Sequence, residues 1–328
     1  MATCHSCQQH VDGRKAVRCD SCGASLHRDC AINVENAHCC DVCFTVSTAE
    51  PEHEPFELPE VIRRSHIETY RACPYKFYME VVKGMECAPN IYTQVGTDVH
   101  QIVDAMCADT MTVQQATRAF NMLWNQYDVA IFEDCSALKE KLYDRAVTSL
   151  ANAHKIISEL GPPLSTEESL CFSVGESLPK ISVITDRVDE VNGELEVIDW
   201  KTGGVMVGQK LANDLQAPLY IHGVQEEYQK PVRKLTFYYL NEGKVRTFER
   251  THGEDYVCQV RKNTYTINLT EAIREVKRLF ARMMKGDFNV PRETRKMYYT
   301  CKTCHIKEQE ACQGADMEAW GQYNKGGF

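Results

Sequence analysis

Residues 181–204 read ISVITDRVDEVNGELEVIDWKTGG. Two runs rich in β-branched residues flank Asn192-Gly193, a pair suited to a two-residue hairpin turn. With that turn Val191 faces Glu194, Val188 faces Val197, and Asp186 falls directly opposite Asp199. Residues in that relation share a face, with Cβ atoms about 4.5–5.5 Å apart. Lys201, two residues past Asp199, points the same way because strand side chains alternate with period two. Two carboxylates directly across a hairpin repel each other. A hard divalent cation such as Mg²⁺ or Mn²⁺ reverses that repulsion, since carboxylate oxygens are its preferred donors. Such an ion activates water and neutralises charge on a phosphate in transfer. A neighbouring lysine stabilises the negative charge that develops.

Around the hairpin the chain reads as a mixed α/β domain. Gly161-Pro162-Pro163 breaks the chain, and β-rich runs follow at 168–174, 180–190, 194–201 and 234–240. Helical periodicity fills about 113–160. An earlier helix follows Gly96, with Val99, Ile102, Val103 and Met106 at i, i+3, i+4 and i+7 spacing. His100 flanks that apolar stripe, where it can reach a sheet edge. Ser65 and Glu68 stand at capping-box spacing and predict a helix from Ser65 to near Cys73-Pro74. Glu168 is a candidate further acid of the site, with Glu167 competing for the role and both also readable as exposed.

Other motifs extend the acid pair. Asp199-Trp200-Lys201 fits the D-x-K signature of the PD-(D/E)XK nuclease superfamily, with Asp186 in the preceding strand. More specifically, Gly96-Thr97-Asp98-Val99-His100 is similar to the G-x-x-x-H helix motif of RecB-like nucleases, and Gln216-Ala217-Pro218-Leu219-Tyr220 to their Q-x-x-x-Y motif. The resemblance covers about residues 62–314. It implies a central mixed sheet flanked by helices. It makes His100, Asp186, Asp199 and the Trp200 carbonyl ligands of Mg²⁺ or Mn²⁺. It makes Lys201 catalytic, with Gln216 and Tyr220 positioning the substrate or the lysine. The implied activity is a metal-dependent DNA nuclease, an exonuclease on single-stranded or end-processed DNA. The other class of reading is a catalytically inactive nuclease-fold adaptor.

The cysteines fall into two sets. Residues 1–46 hold eight of the seventeen, in the order Cys4-x2-Cys7-x11-Cys19-x2-Cys22-x4-His27-x2-Cys30, then Cys40-x2-Cys43. Close pairs chelate from one turn, and eight ligands complete two tetrahedral zinc sites that supply folding energy to a segment poor in apolar residues. The order resembles the cross-brace of PHD and RING-like fingers. By that resemblance Cys4, Cys7, His27 and Cys30 share one zinc, and Cys19, Cys22, Cys40 and Cys43 the other; Cys39 is an alternative to Cys40. A module of this kind docks a protein partner or is purely structural; a ubiquitin-ligase type of role is the weaker alternative. The second set is Cys73 with Cys301-x2-Cys304-x7-Cys312. It resembles the iron–sulfur branch of the RecB-like group, the AddB and CRISPR-associated type, and implies a [4Fe–4S] cluster. The x7 interval is longer than that family's habit, which leaves zinc open, with Cys73 or His305 as fourth ligand. Cys87, Cys107, Cys135, Cys171 and Cys258 show no ligand spacing and read as core residues.

Between these sets, residues 47–60, STAEPEHEPFELPE, carry five glutamates, three prolines and no Lys or Arg, which reads as an extended linker. The expected organisation is a zinc module over 1–46, this linker, and a nuclease domain over 61–328. Net charge is −9, of which −6 lies in residues 1–60, so the remainder is near neutral. Composition neither requires nor forbids a nucleic-acid groove. Arg274, Lys277, Arg278, Arg282 and Lys285 on a helix expected at about 269–285, then Arg292, Arg295, Lys296, Tyr298 and Tyr299, suit a single-stranded path or a solvated face. No apolar run has membrane-spanning length. The N-terminus lacks the apolar core of a secretory signal, so an intracellular, reducing location is expected: cytoplasmic, or nuclear in a eukaryote.

Overall fold

The structure is a computed structural model. It describes residues 2–3, 10–12, 16–19, 25–34, 37–39, 55–86, 91–108, 111–127, 136–207 and 209–289, with 301, 304, 306 and 312. The chain divides into two units. One comprises Glu60–Glu68 and Met85–Val276, the other Met1–Pro59, Thr69–Gly84 and Lys277–Phe328.

The first unit is built on an eight-stranded mixed sheet. Its strands are β1 (Val61–Arg63), β2 (Ser165–Phe172), β3 (Lys180–Val191), β4 (Glu194–Lys201), β5 (Val232–Tyr239), β6 (Lys244–Arg250), β7 (Asp255–Val260) and β8 (Asn263–Asn268). The hairpin register is as the sequence predicts, from Glu194↔Val191 through Val197↔Val188 to Ile198↔Arg187. Asn192 and Gly193 both take positive φ, 55° and 83°, the turn geometry that favours Asn-Gly. β5 runs parallel to β4, and β6, β7 and β8 continue as an antiparallel meander. That meander is absent from the sequence expectations.

The two edges of β3 have different neighbours. Ile181 pairs with Phe172 of β2 and with Ile62 of β1, while Arg187 pairs with Thr166 of β2 and Ile198 of β4. Since β2 follows one edge throughout, β1 and β4 divide the other. Residues 183–186 of that edge lie between them, without a strand partner among the described residues.

Helices α1 (Arg64–Ala72), α2 (Ile91–Ala108), α3 (Val113–Trp124), α4 (Ser136–Glu159), α5 (Gln216–Tyr228) and α6 (Leu269–Met284) complete the main elements. Val95, Val99, Ile102, Val103 and Met106 of α2 form one core with Phe120 of α3, Leu142 and Leu150 of α4, and Ile198 and Trp200 of β4. α3 starts with a capping box, Thr112 and Gln115 each bonding the other's backbone. Two helix starts differ from expectation. α1 begins at Arg64, so Ser65 lies inside it, and Glu68 instead accepts the Leu215 amide at 2.9 Å. α2 begins at Ile91, which puts Gly96 in mid-helix. A Cβ at Gly96 would come within 3.1 Å of Thr202 Oγ1, so close approach to the end of β4 accounts for the glycine.

In the second unit the described N-terminal residues form three short antiparallel ribbons: Ala2–Thr3 with His10–Val11, Val17–Arg18 with Ser25–Leu26, and Ile32–Val34 with Ala37–Cys39. Farther along, Phe56, Phe77 and Tyr78 pack on Phe288, and the Tyr70 hydroxyl donates to the Asp287 carbonyl at 2.7 Å. Arg282 closes this group with an Nε bond to Asp287 at 2.7 Å.

Candidate active site

Strand alternation sorts β4 into two sets of side chains. Ile198 and Trp200 enter the core of α2, α3 and α4. Asp199 and Lys201, alternating with them, meet Gln216 of α5. The β3–β4 ladder ends at Ile198↔Arg187, one pair short of Asp186 and Asp199. Beyond it the Trp200 amide donates to Asp186 Oδ2 at 2.6 Å rather than to a backbone carbonyl of β3. Asp186 therefore sits where the edge of β3 has no strand neighbour among the described residues, with its other oxygen toward His100.

Three donors converge there. His100 Nδ1 lies 3.5 Å from Asp186 Oδ1, and ligand atoms of His100, Glu167 and Asp186 all lie within 4.8 Å of one another. Glu167 occupies the β2 position that continues the register opposite Asp186, between Thr166↔Arg187 and Glu168↔Thr185. Its φ of 45° interrupts the ladder at that level. Glu168, favoured in the sequence expectation, is engaged elsewhere: its carboxylate accepts from Ser165 Oγ at 2.6 Å and from the Tyr228 hydroxyl. The left-handed residue reverses which acid faces the site, and strand alternation alone does not reveal it.

Asp199 is fully buried and held from two sides. Gln216 Nε2 donates to its Oδ1 at 2.6 Å, and Lys201 Nζ lies 2.8 Å from its Oδ2. The same Gln216 amide donates to the Tyr220 hydroxyl at 2.9 Å, while its Oε1 accepts from Lys201 at 2.6 Å. One side chain thus ties together Lys201, Asp199 and Tyr220. Lys201 Nζ also lies 5.1 Å from the centre of the Phe237 ring.

The electrostatics fit a cation. Burial, then the charge of Asp186, pushes the Asp199 carboxyl up, against the pull of Lys201. Desolvation, then Asp186, likewise raises Glu167. For His100 burial acts downward, but the hydrogen bond and charge of Asp186 outweigh it and hold the imidazole above its ordinary value. Clustered carboxylates that burden one another, beside an imidazole, form a donor set suited to a hard divalent ion. His100, Asp186 and Glu167 form the compact group. The carboxylate of Asp199 is turned to Gln216 and Lys201.

Of the zinc-type residues, Cys19, His27 and Cys30 are described. Cys19 is buried against Leu26 with Cys30 packed beside it, and His27 Nε2 lies 3.0 Å from the His10 carbonyl. Cys4, Cys7, Cys22, Cys40 and Cys43 lie outside the described residues. Of the second set, Cys73 and Cys301 are buried and Cys304 and Cys312 half-buried. Cys73 caps the short helix Pro74–Phe77, its Sγ accepting from the Lys76 amide at 3.5 Å. Burial raises this thiol, and the charges of Cys312 and Cys304 add to the effect, so these three sulfurs lie within electrostatic range. His305 lies outside the described residues. Among the cysteines expected in the core, Cys258 is buried and Cys107 half-buried, but Cys171 is exposed, since Leu170 and Phe172 on either side take the inward positions of β2. Cys87 and Cys135 are outside the described residues, as are Arg292, Arg295, Lys296, Tyr298 and Tyr299.

Comparison with known proteins yields three findings. The family model described as the PD-(D/E)XK nuclease superfamily matches residues 64–313. A search of curated proteins finds no match. Among solved structures, the crystal structure of SSO0001 is similar over 83% of this chain and 96% of its own, at 14% identity and a TM-score of 0.36.

Proposed function

Because the chain belongs to the PD-(D/E)XK nuclease superfamily, we propose that it is a Mg²⁺- or Mn²⁺-dependent DNA nuclease acting as an exonuclease on single-stranded or end-processed DNA. The observation that carries this reading is the Gln216 network. It holds a lysine and a buried carboxylate together beside a second carboxylate and a histidine. A site kept only for folding has no use for mutually repelling acids in its interior.

Asp186, Asp199 and His100, joined by Glu167 and the Trp200 carbonyl, would hold the cation. When bound, it supplies positive charge to the scissile phosphate and makes a water more acidic. Lys201, aimed by Asp199 and Gln216, donates to the negative charge that builds up on phosphate oxygen. Tyr220 is a buried phenol whose pKa is driven far above its usual value by burial and by Asp199 and Asp186, so it stays protonated. Its oxygen accepts from Gln216, which leaves its own hydrogen for donation toward substrate or solvent.

The finer assignments belong to the same proposal. Cys73, Cys301, Cys304 and Cys312 would hold a [4Fe–4S] cluster of the RecB-like type, with zinc as the other occupant. The N-terminal cysteines and His27 would hold two zinc ions in a partner-docking module over residues 1–46, followed by the linker and the nuclease domain.

Lys201→Ala and Asp199→Ala are each expected to abolish Mg²⁺- or Mn²⁺-dependent degradation of labelled single- and double-stranded DNA while far-ultraviolet circular dichroism stays native. Full degradation by either variant refutes the assignment. A wild type that binds DNA but never cuts it, with either metal, points instead to the adaptor reading.

A further inference from the structure

We infer that Arg246 is a substrate-positioning residue, which grips a phosphate of the nucleic-acid strand on the same sheet face as Asp199 and Lys201. The inference rests on the nuclease reading and adds to it a residue outside the superfamily motifs.

The placement follows from register. Asp199 of β4 pairs with Phe237 of β5, and Phe237 pairs with Arg246 of β6. Side chains at paired positions share a face. The contacts agree: the Phe237 ring lies 5.1 Å from Lys201 Nζ and meets Phe248 edge-on at 6.4 Å, and Phe248 shares the face of Arg246 by alternation. Asp199, Phe237 and Arg246 therefore form a row, with a carboxylate at one end and a guanidinium at the other. Neighbouring strands are about 4.8 Å apart, so two spacings put the Arg246 backbone roughly 10 Å from that of Asp199 along the row.

Its bonding sets it apart from three other arginines of the sheet. Arg187 pairs with Asp189, Arg233 with Glu196 and Arg250 with Glu194. Arg246 pairs with no carboxylate among the described residues; Nη1 donates to the neighbouring Val245 carbonyl at 2.8 Å, and the buried Nε has no acceptor among them. A half-buried guanidinium without a counter-ion is costly unless an anion completes it. Its planar fork matches a phosphate diester.

The test uses the full chain with Lys201→Ala to block cleavage, a fluorescent single-stranded oligothymidylate as probe, and binding measured across a salt series. Arg246→Gln is expected to weaken binding about tenfold, the loss of one charge-assisted hydrogen bond. It is also expected to flatten the salt dependence by about 0.7 in slope, the value of one phosphate contact on a single strand. Arg246→Lys is expected to restore the slope while leaving affinity reduced, because the charge returns without the fork. Arg250→Gln, which breaks only the Glu194 pair, is the control for general effects of lost charge. An unchanged slope and affinity in Arg246→Gln, with a parent that binds, overturns the assignment and leaves the nuclease reading standing. A parent that neither binds the probe nor, with Lys201 intact, cuts DNA overturns both.

Discussion

The amide of Gln216 accepts from a lysine at one end and donates to a carboxylate and a phenol at the other. That division of roles is legible in the motif only as a spacing; the bonds themselves need the fold. The acids differ in the same way. Asp186 and Asp199 follow from the Asn-Gly turn, whereas the choice between Glu167 and Glu168 hangs on one backbone angle, the φ of 45° at Glu167. Glu167→Gln is therefore expected to lower the rate of DNA cleavage at least about tenfold, the scale of a lost interaction of about 1.4 kcal/mol. Glu168→Gln, whose carboxylate serves Ser165 and Tyr228, is expected to stay near wild type in rate and to lose some thermal stability. Steady-state rates with both variants check this, and a reversed order sinks the placement of Glu167.

At the scale of elements, α5 brings Gln216 and Tyr220 to β4 because it lies close on β2 and β3. A Cβ on Gly223 would stand 2.6 Å from the Phe172 ring and 3.5 Å from Val183. Alanine favours a helix over glycine by about 1 kcal/mol, but overpacking costs about 1–3 kcal/mol. Gly223→Ala is thus expected to lower the urea midpoint, and adding Phe172→Leu to restore it; a stabilised single variant contradicts the close packing. Glu196 shows a different device. Burial acts upward on its carboxyl, yet Lys234 at 2.8 Å and Arg233 outweigh it and hold it below the ordinary glutamate value. A carboxyl held low when folded adds stability above its unfolded pKa and loses it as pH falls through the folded one. Wild type should exceed Glu196→Gln in melting temperature at neutral pH, with the gap closing in acid below pH about 4.5. A gap that persists unchanged in strong acid counts against the ion-pair account.

At the scale of the whole molecule, chain order and spatial grouping diverge. Cys73 is grouped with Cys301, Cys304 and Cys312 although more than 200 residues separate them, a separation that a cluster would close at modest entropic cost. Anaerobic purification is expected to return about four iron and about two zinc atoms per chain, from the thiolate and imidazole counts. Zinc in place of iron would show that the x7 interval selects the smaller site, and neither metal would reduce both sets to buried thiols. The sequence by itself determined the hairpin register, because turn chemistry and strand alternation are local rules that act over a few residues; His100, Asp186, Asp199, Lys201, Gln216 and Tyr220 stand in it as motif matches whose roles belong to the proposal. Only the tertiary structure decided that Glu167 rather than Glu168 faces His100, that no described strand pairs with the edge of β3 beside Asp186, and that Arg246 stands in line with Asp199. Those outcomes depend on which strands become neighbours, and pairing between distant segments leaves no local signal in either partner.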